Sequence, residues 1–524
     1  MAKYDIIIVG SGINSLVAAS VLGKAGKKVL ILEARDKIGG LASTNEFAPG
    51  FKCNVIHDTV KWIDPRVSRD LQIESQGLEF IDLDVKRIAL GSNSNEHILF
   101  HKDPLTTSDS IAKHSNKDAE RWINFTKHID RLSNFLEQLY QLTPPELPNI
   151  GLMDALSMRS LLGPILKQGS RGLVDLARTA PMMMPEFMDE WFENELLRSA
   201  LSTAGINGLS YGPYAAATGY NFLHQHLHSK GIIHNSSIIR GGTGNFPEIL
   251  KQTLQSNNVE VRTNSKVVSI NVKNNAYESV SIHDGEMIIS DQIISGVDPK
   301  NTFINLVGAP NLDPNFHTQI RNIKYRGSTA RIHFALSEIP EIQGIADEQM
   351  NTVFSICPSM EKLEKASDAV KYGHISNEPY VEFSIPTTIN SDFAPQGKHV
   401  LSASVQYAPY RLRDCEWDSN SKEQLKQNTI QVLEKKIPGL SKLIETSVVY
   451  SPKDIENEFG LTEGNLNHGE MTLDQLLFMR PTASSSQYKT PIENLYLCGP
   501  GTHPGGGLHG ANGFNSAKKI MEKT

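Results

Sequence analysis

Tyr4-Asp5-Ile6-Ile7-Ile8-Val9 is a short apolar, β-branched run, and Gly10-Ser11-Gly12 follows it with no spacer. Ile13 to Gly23 then reads as a helix of small and apolar residues. Val29-Leu30-Ile31-Leu32 reads as a second buried strand, ending on Glu33. Strand, glycine turn, helix, strand and acid, in that order, form the βαβ unit that holds dinucleotides. Gly10 permits the tight turn, and Gly12 lets backbone approach a pyrophosphate without a Cβ in the way. The amides of Ser11, Ile13 and Asn14 lie at the start of the helix, whose free N–H groups and dipole favour phosphate. Glu33 is placed to accept from a ribose hydroxyl pair and would repel a 2′-phosphate. One position departs from the pattern: Ser15 stands where a third glycine is usual.

The residues after the acid narrow the ligand. Ala34-Arg35 leads through Asp36-Lys37-Ile38 to Gly39-Gly40-Leu41-Ala42. An acid, a basic residue and a glycine pair resemble the extended fingerprint of FAD-binding flavoproteins of the amine oxidase and phytoene desaturase superfamily. By that resemblance Gly40, Leu41 and Ala42 pass the pyrophosphate on its other side, and FAD is the expected cofactor. Ile239-Arg240-Gly241-Gly242-Thr243-Gly244, a helix from Glu248 to Gln255, and strands at Val259–Arg262 and Lys266–Ile270 resemble the second FAD-contacting segment. The resemblance puts Val267 against adenine and Gly242 near the flavin and substrate. No second nucleotide-binding motif accompanies these, so electrons are expected to leave to oxygen, a quinone or another diffusible acceptor.

The C-terminus supplies a third segment. Asn494 to Gly499 is a strand ending in glycine, Pro500 to Gly507 a tight turn, and Leu508 to Met521 contains a last helix. Gly499, Gly501, Leu508, His509 and Gly510 are carried over as flavin contacts, Leu508 and His509 beneath the ring. Stretches such as Gly464–Glu470 and Asp474–Pro481 resemble, more narrowly, the phytoene desaturase and carotenoid isomerase-like branch that includes pyridine nucleotide-disulfide oxidoreductase domain-containing protein 2. The resulting fold class is α/β: a Rossmann-like FAD-binding domain of the GR2, amine oxidase superfamily type, interleaved with an α+β substrate domain carrying a mixed sheet and helical lid. The expected division is 1–85, 230–310 and 482–524 for FAD, and 86–229 and 311–481 for substrate.

Between the fingerprints the signals are weaker. Thr107 to about Leu142 is amphipathic, with Trp122, Phe125, Ile129, Leu132, Phe135, Leu136 and Leu139 at helical spacing and Asp109 as cap. Met158 to Phe192 sets apolar residues between Arg159, Lys167, Arg171 and Arg178, followed by Met182-Met183-Met184 and Phe187-Met188. An ordinary helical lid or a subunit contact is one reading, and access to a membrane surface the other. Ser199 to His228 is rich in small and aromatic residues that could wall an apolar pocket. His224, His226 and His228 alternate at a spacing that suits no zinc site, and no metal is expected.

At 524 residues, 39% hydrophobic, the chain is long enough for two domains and a large core. A net charge of −7 argues against nucleic acid as a partner. Cys53, Cys357, Cys415 and Cys498 stand far apart, which suits reduced thiols rather than a redox pair or metal site. A strand starting at Tyr4 and the lack of a long apolar run suggest a cytoplasmic protein, at most peripheral on a membrane, with a homodimer left open. Together these readings point to hydride transfer between an apolar, polyene or isoprenoid, small molecule and flavin N5. The alternatives are an amine oxidase-type small-molecule oxidase and a non-catalytic FAD-stabilised interaction protein. His503, His509 and Arg240 are the ionisable candidates near the ring.

Overall fold

The computed structural model describes residues 4–145, 172 and 174–522. Its first layer is a five-stranded parallel sheet. β1 (Tyr4–Val9) lies between β2 (Val29–Leu32) and the strand Ser290–Ser295, with Glu260–Arg262 and Leu495–Leu497 outermost. Parallel strands are covered on both faces, which is why β1 and β2 are near-continuous apolar runs. Ile6, Ile7, Ile8 and all of β2 are buried. One face packs against α1 (Ile13–Lys24), the helix Asn245–Ser256 and the last helix, Ala511–Met521. A three-stranded antiparallel sheet, Val267–Lys273, Ala276–Ile282 and Met287–Ile288, covers the other face through Val267, Ile270, Tyr277 and Val280.

The helix α1 is buried from Ile13 to Gly23, so its pattern is all-round apolar and small rather than amphipathic. The last helix approaches it so closely that a Cβ on Gly513 would land on the Asn14 carbonyl. Three separated pieces of chain are thereby locked together: residues 4–33, the strand 290–295 and the C-terminal strand and helix.

A second, seven-stranded mixed sheet carries Thr329–Leu336, His399–Gln406 and Tyr380–Ser384 at its centre. Its central strands alternate: Ile332, Phe334, Val381 and Leu401 share one face, packed in an apolar core, while Arg331, Glu382, Ser402 and Ser404 take the other. The helices on this side cluster around Trp122, Phe125, Phe187 and Phe222.

Several boundaries differ from the sequence expectation. The Thr107–Leu142 helix is two helices, Pro104–Ala112 and Asn116–Gln141. Asp103 caps the first, accepting from Leu105 and Thr106 amides, and Ser115 caps the second. Asp109 is therefore a mid-helix residue and not a cap. Of the stretch suggested to face a membrane, residues 158–171 and Leu173 lie outside the described residues. In the remainder Met184, Phe187 and Met188 are buried in the helical core, and Arg178 pairs with Glu190 at 2.9 Å. Among the described residues no helix is long and apolar enough to cross a membrane.

Candidate active site

The carboxyl ends of β1, β2 and the strand Ser290–Ser295 open into a cavity of about 320 Å³, the place where open parallel sheets bind their ligands. Gly10 sits at φ +85°, a left-handed turn that glycine adopts without strain, and its amide closes onto Leu32 O at 2.8 Å. A Cβ on Gly12 would meet nothing within 4 Å, so this glycine leaves the backbone open to the cavity. The first α1 amide bonded to a backbone carbonyl is Leu16, on Gly12 O at 3.0 Å; those ahead of it have no intrahelical acceptor. The second glycine turn lies against the first. Gly39 donates to Ser11 O at 2.9 Å, and a Cβ on Gly40 would sit 3.3 Å from Gly12 Cα.

Glu33 lines the same cavity. Its Oε2 accepts from the Ser11 amide at 2.8 Å and the Ser11 hydroxyl at 2.5 Å, and its Oε1 from the Arg35 amide at 2.9 Å. A carboxylate accepts about four hydrogen bonds, which leaves capacity for a ribose hydroxyl. Arg35 stacks 4.4 Å over the Phe459 ring and lies 3.4 Å from both Gly40 O and Glu458 Oε1. It thereby ties the glycine loop to the helix Pro452–Phe459. The departure at Ser15 also has a physical account. A Cβ on Gly296, at the end of the neighbouring strand, would land on Ser15 Oγ. The space a third glycine would leave on the helix is supplied by a glycine on the sheet.

A second cavity of about 160 Å³ adjoins the first, and His57, Leu466, Gly507 and Leu508 line both. Its floor is the central strands of the seven-stranded sheet, contributing Thr329, Arg331, Glu382, Ser402 and Ser404. The wall facing these comes from Asp58 to Trp62. Arg331 pairs with Asp58, and Glu382 with Arg87 at 2.5 Å. Lys61 lines the cavity with no hydrogen-bond or ion-pair partner among the described residues. Burial and the nearby Arg87 lower its pKa to about 8, against the opposing pull of the Glu382 carboxylate. Burial likewise lowers His57 to about 4, with the Arg331 and Lys61 charges adding to the effect, so this ring is neutral near pH 7.

Comparison with known proteins places this architecture. The model of the family described as flavin containing amine oxidoreductase matches residues 16–519. The chain belongs to that family. It is an FAD-dependent oxidoreductase with the family's fold. Pyridine nucleotide-disulfide oxidoreductase domain-containing protein 2 of Rattus norvegicus is 29% identical, covering 99% of this chain and 93% of the relative. The lycopene-forming phytoene desaturase of Pantoea ananas is 23% identical over 97% of each chain. A triple mutant of putrescine oxidase superposes with a TM-score of 0.62 at 14% identity, covering 99% of both chains.

The residues around the first cavity fit a flavin adenine dinucleotide. Gly12 opens toward it, Glu33 retains acceptor capacity, and the buried His468 Nδ1, on a cavity-lining residue, has no partner among the described residues. Of the residues expected from sequence, Gly10, Ser11, Gly12, Ile13, Asn14, Glu33, Ala34, Arg35, Gly40, Leu41, Val267 and Leu508 line this cavity. His509 lines the second. Five of the expected contacts line neither. Ala42 is buried behind the glycine loop. Gly242 faces Thr44 and Asn54, Gly499 backs onto Gly296, Gly501 onto Pro299, and Gly510 onto Val17 and Val67. Their small size serves chain packing around the cradle.

Of the ionisable candidates, His509 lines the second cavity beside Leu508, and the other two line neither. Arg240 is exposed and pairs with Glu79 at 2.7 Å, lining neither cavity. His503 is buried, with its Nε2 3.3 Å from Leu139 O, and lines neither cavity. His509 accepts the Ala511 amide on Nδ1 at 3.1 Å, which puts its proton on Nε2, 3.1 Å from Gly506 O. Both nitrogens are committed and the ring stacks on Trp62 at 4.2 Å, so it holds the turn in place.

Sequence reasoning missed Asp298, Asn301, the 459–461 stretch and His468, all on the first cavity. Asp298 accepts from the Asn301 amide at 3.0 Å and the Thr462 hydroxyl at 2.9 Å, pinning that stretch to the sheet. Arg480, also missed, is buried and among the described residues donates only to backbone carbonyls: Asn467, Gly469, Glu470, Gln475 and Pro500. It clamps the His468 loop to the C-terminal turn. Asp298-Pro299 and Arg480-Pro481 were the available signals, each a charged residue inside an apolar or glycine-rich motif.

Proposed function

We propose that this chain is a desaturase-, saturase- or isomerase-type flavoenzyme whose small-molecule reactant occupies the second cavity. When bound, FAD supplies the acceptor for a hydride at flavin N5, its electrons later passing to oxygen or a quinone. The observation that carries the reading is the junction, where His57, Leu466, Gly507 and Leu508 belong to both cavities at once. A reactant there would meet the end of whatever fills the nucleotide cavity. Leu466 and Leu508 exclude water at that point, and the hydrogen-bonded His509 fixes the turn that carries Leu508.

The second cavity also bears on the substrate. The Tyr220 and Phe222 side chains, expected to wall an apolar pocket, are buried in the helical core, and the same stretch lends Asn207, Gly208, His224 and Gln225 instead. Ile56, Val60, Trp62, Phe383 and Leu508 supply apolar wall, and Asp58, Lys61, Arg331 and Glu382 supply charge. A reactant with an apolar body and a polar end matches such a lining better than a pure polyene. An amine fits less well, because both cavity carboxylates already have arginine partners and Lys61 adds a further cation.

The purified protein should absorb near ~450 nm as oxidised flavin does. Anaerobic titration with an extract fractionated by polarity should bleach that band in the amphiphilic fractions. Readmitting oxygen or a soluble quinone should restore it. Bleaching only by primary amines, with peroxide released, would replace this reading with the amine oxidase one.

A further inference from the structure

We infer that the second cavity binds its reactant by a carboxylate, with Lys61 as the anchoring cation and Arg331 beside it. This deepens the oxidoreductase reading and rests on it. The charges around the cavity pair off except one. Asp58 is matched by Arg331, and Glu382 by Arg87, both arginines being buried. Of these charges Lys61 alone has no ion-pair partner among the described residues; the nearest carboxylate acting on it, Glu382, is already bound by Arg87, and the neighbouring His57 is held neutral by burial. An ammonium enclosed without a partner is costly, so a fold that keeps one usually puts it to use.

The neighbouring arginine points the same way. Arg331 Nε is buried and has no hydrogen-bond partner among the described residues, although the other end of its guanidinium serves Asp58. A carboxylate accepts on two oxygens and can take one donor from an ammonium and another from a guanidinium. One unmatched positive charge suits a monoanion. A diphosphate would leave most of its charge unneutralised.

Lys61 adjoins Trp62, which stacks on His509, and this side of the cavity reaches the junction at Leu508. An anchored carboxylate therefore leaves the apolar body of the reactant to extend along Val60 and Phe383 toward the flavin end. Lys61 is in this sense a specificity-determining residue that selects the acid over its neutral analogues.

The test uses the FAD-loaded protein and follows the visible flavin spectrum during titration with benzoate, cinnamate and octanoate, and with the amide of each. The acids should give saturable spectral shifts, and the amides should bind about 10- to 100-fold more weakly, as loss of a charge-assisted pair implies. Lys61→Met should weaken the acids by the same factor and leave the amides unchanged, and Lys61→Arg should restore acid binding to within a few-fold. Acid and amide binding equally, no shift from any acid, or shifts indifferent to Lys61→Met would each overturn the carboxylate anchor. Those results are separable from failure of the parent reading, which would appear as a bound flavin that no fraction of a cell extract reduces.

Discussion

The nucleotide cavity and the reactant cavity share a wall yet are assembled in different ways. The first is built largely from backbone: Gly10, Gly12, Gly39 and Gly40 bring main chain to main chain, and Glu33 is held by two amides and a hydroxyl. The second is built from side chains that arrive from far apart in the chain. Arg331 meets Asp58 across 273 positions and Arg87 meets Glu382 across 295. Backbone recognition tolerates no added Cβ but asks little of charge. Side-chain recognition tolerates size changes but depends on which charges are paired.

The largest expected effect breaks the first cavity while sparing the second. Gly12→Val puts a branched side chain into the space left open for a ligand, and the variant should purify as folded protein without flavin absorbance. Arg331→Met, in the second cavity, should keep full flavin occupancy. If Gly12→Val is as yellow as the parent, the backbone cradle is not where the cofactor lies.

Next in size is Arg480→Met. This side chain is buried and bonded to five carbonyls that join the His468 loop to the C-terminal turn. Leaving several buried acceptors unsatisfied should cost about 3 kcal/mol or more. Urea denaturation should show it as a lower midpoint with unchanged slope, accompanied by earlier release of flavin on heating.

The two cavities also differ in how far they could be read from sequence. A strand, a glycine turn and an acid are local, and each is explained by its neighbours in the chain. The βαβ unit and most of the first cavity were therefore legible. Gly499 and Gly510 were recognised as motif glycines, but the motif does not say whether a glycine faces ligand or a packed helix, and here they face Gly296 and Val17. The second cavity left almost no local trace. Lys61 sits in an unremarkable Val-Lys-Trp stretch, and its meaning depends on strands 270 or more residues away whose register no periodicity supplies. The pocket wall expected of Ser199–His228 is met only in part for the same reason, by Asn207, Gly208, His224 and Gln225. Tyr220 and Phe222 are as aromatic as expected but turn into the core.

A smaller effect sharpens the contrast in charge. The Lys61 pKa is lowered from 10.5 to about 8, so the protonated side chain opposes folding. The unfolded chain holds this proton more tightly, and stability should therefore rise as pH increases from about 8 toward 10.5. Lys61→Met should consequently raise stability at pH 7 by about 1–3 kcal/mol, a gain that disappears near pH 10. Thermal melts of both proteins at the two pH values check this. An unchanged or lower midpoint for the variant at pH 7 would mean that Lys61 has a counter-charge in solution.

The smallest effect concerns Ser15, where the first cavity departs from its own pattern. If Gly296 supplies the room that a third glycine would otherwise give, the two positions must be energetically coupled. Gly296→Ala alone should destabilise by about 1–3 kcal/mol through overpacking against Ser15 Oγ. Ser15→Gly alone should cost about 0.5–1 kcal/mol, the helix penalty of glycine. Together they restore the usual arrangement with the glycine on the helix and a side chain on the sheet. The double variant should then be more stable than the sum of the two singles by about 1 kcal/mol or more. Additivity within error would mean that the strand end simply shifts to take the methyl group, and that Ser15 is tolerated for some reason other than the glycine across from it. The cycle thus asks whether a fingerprint position is defined by its residue or by the distance between helix and sheet. The contact between Ser15 and Gly296 argues for the distance.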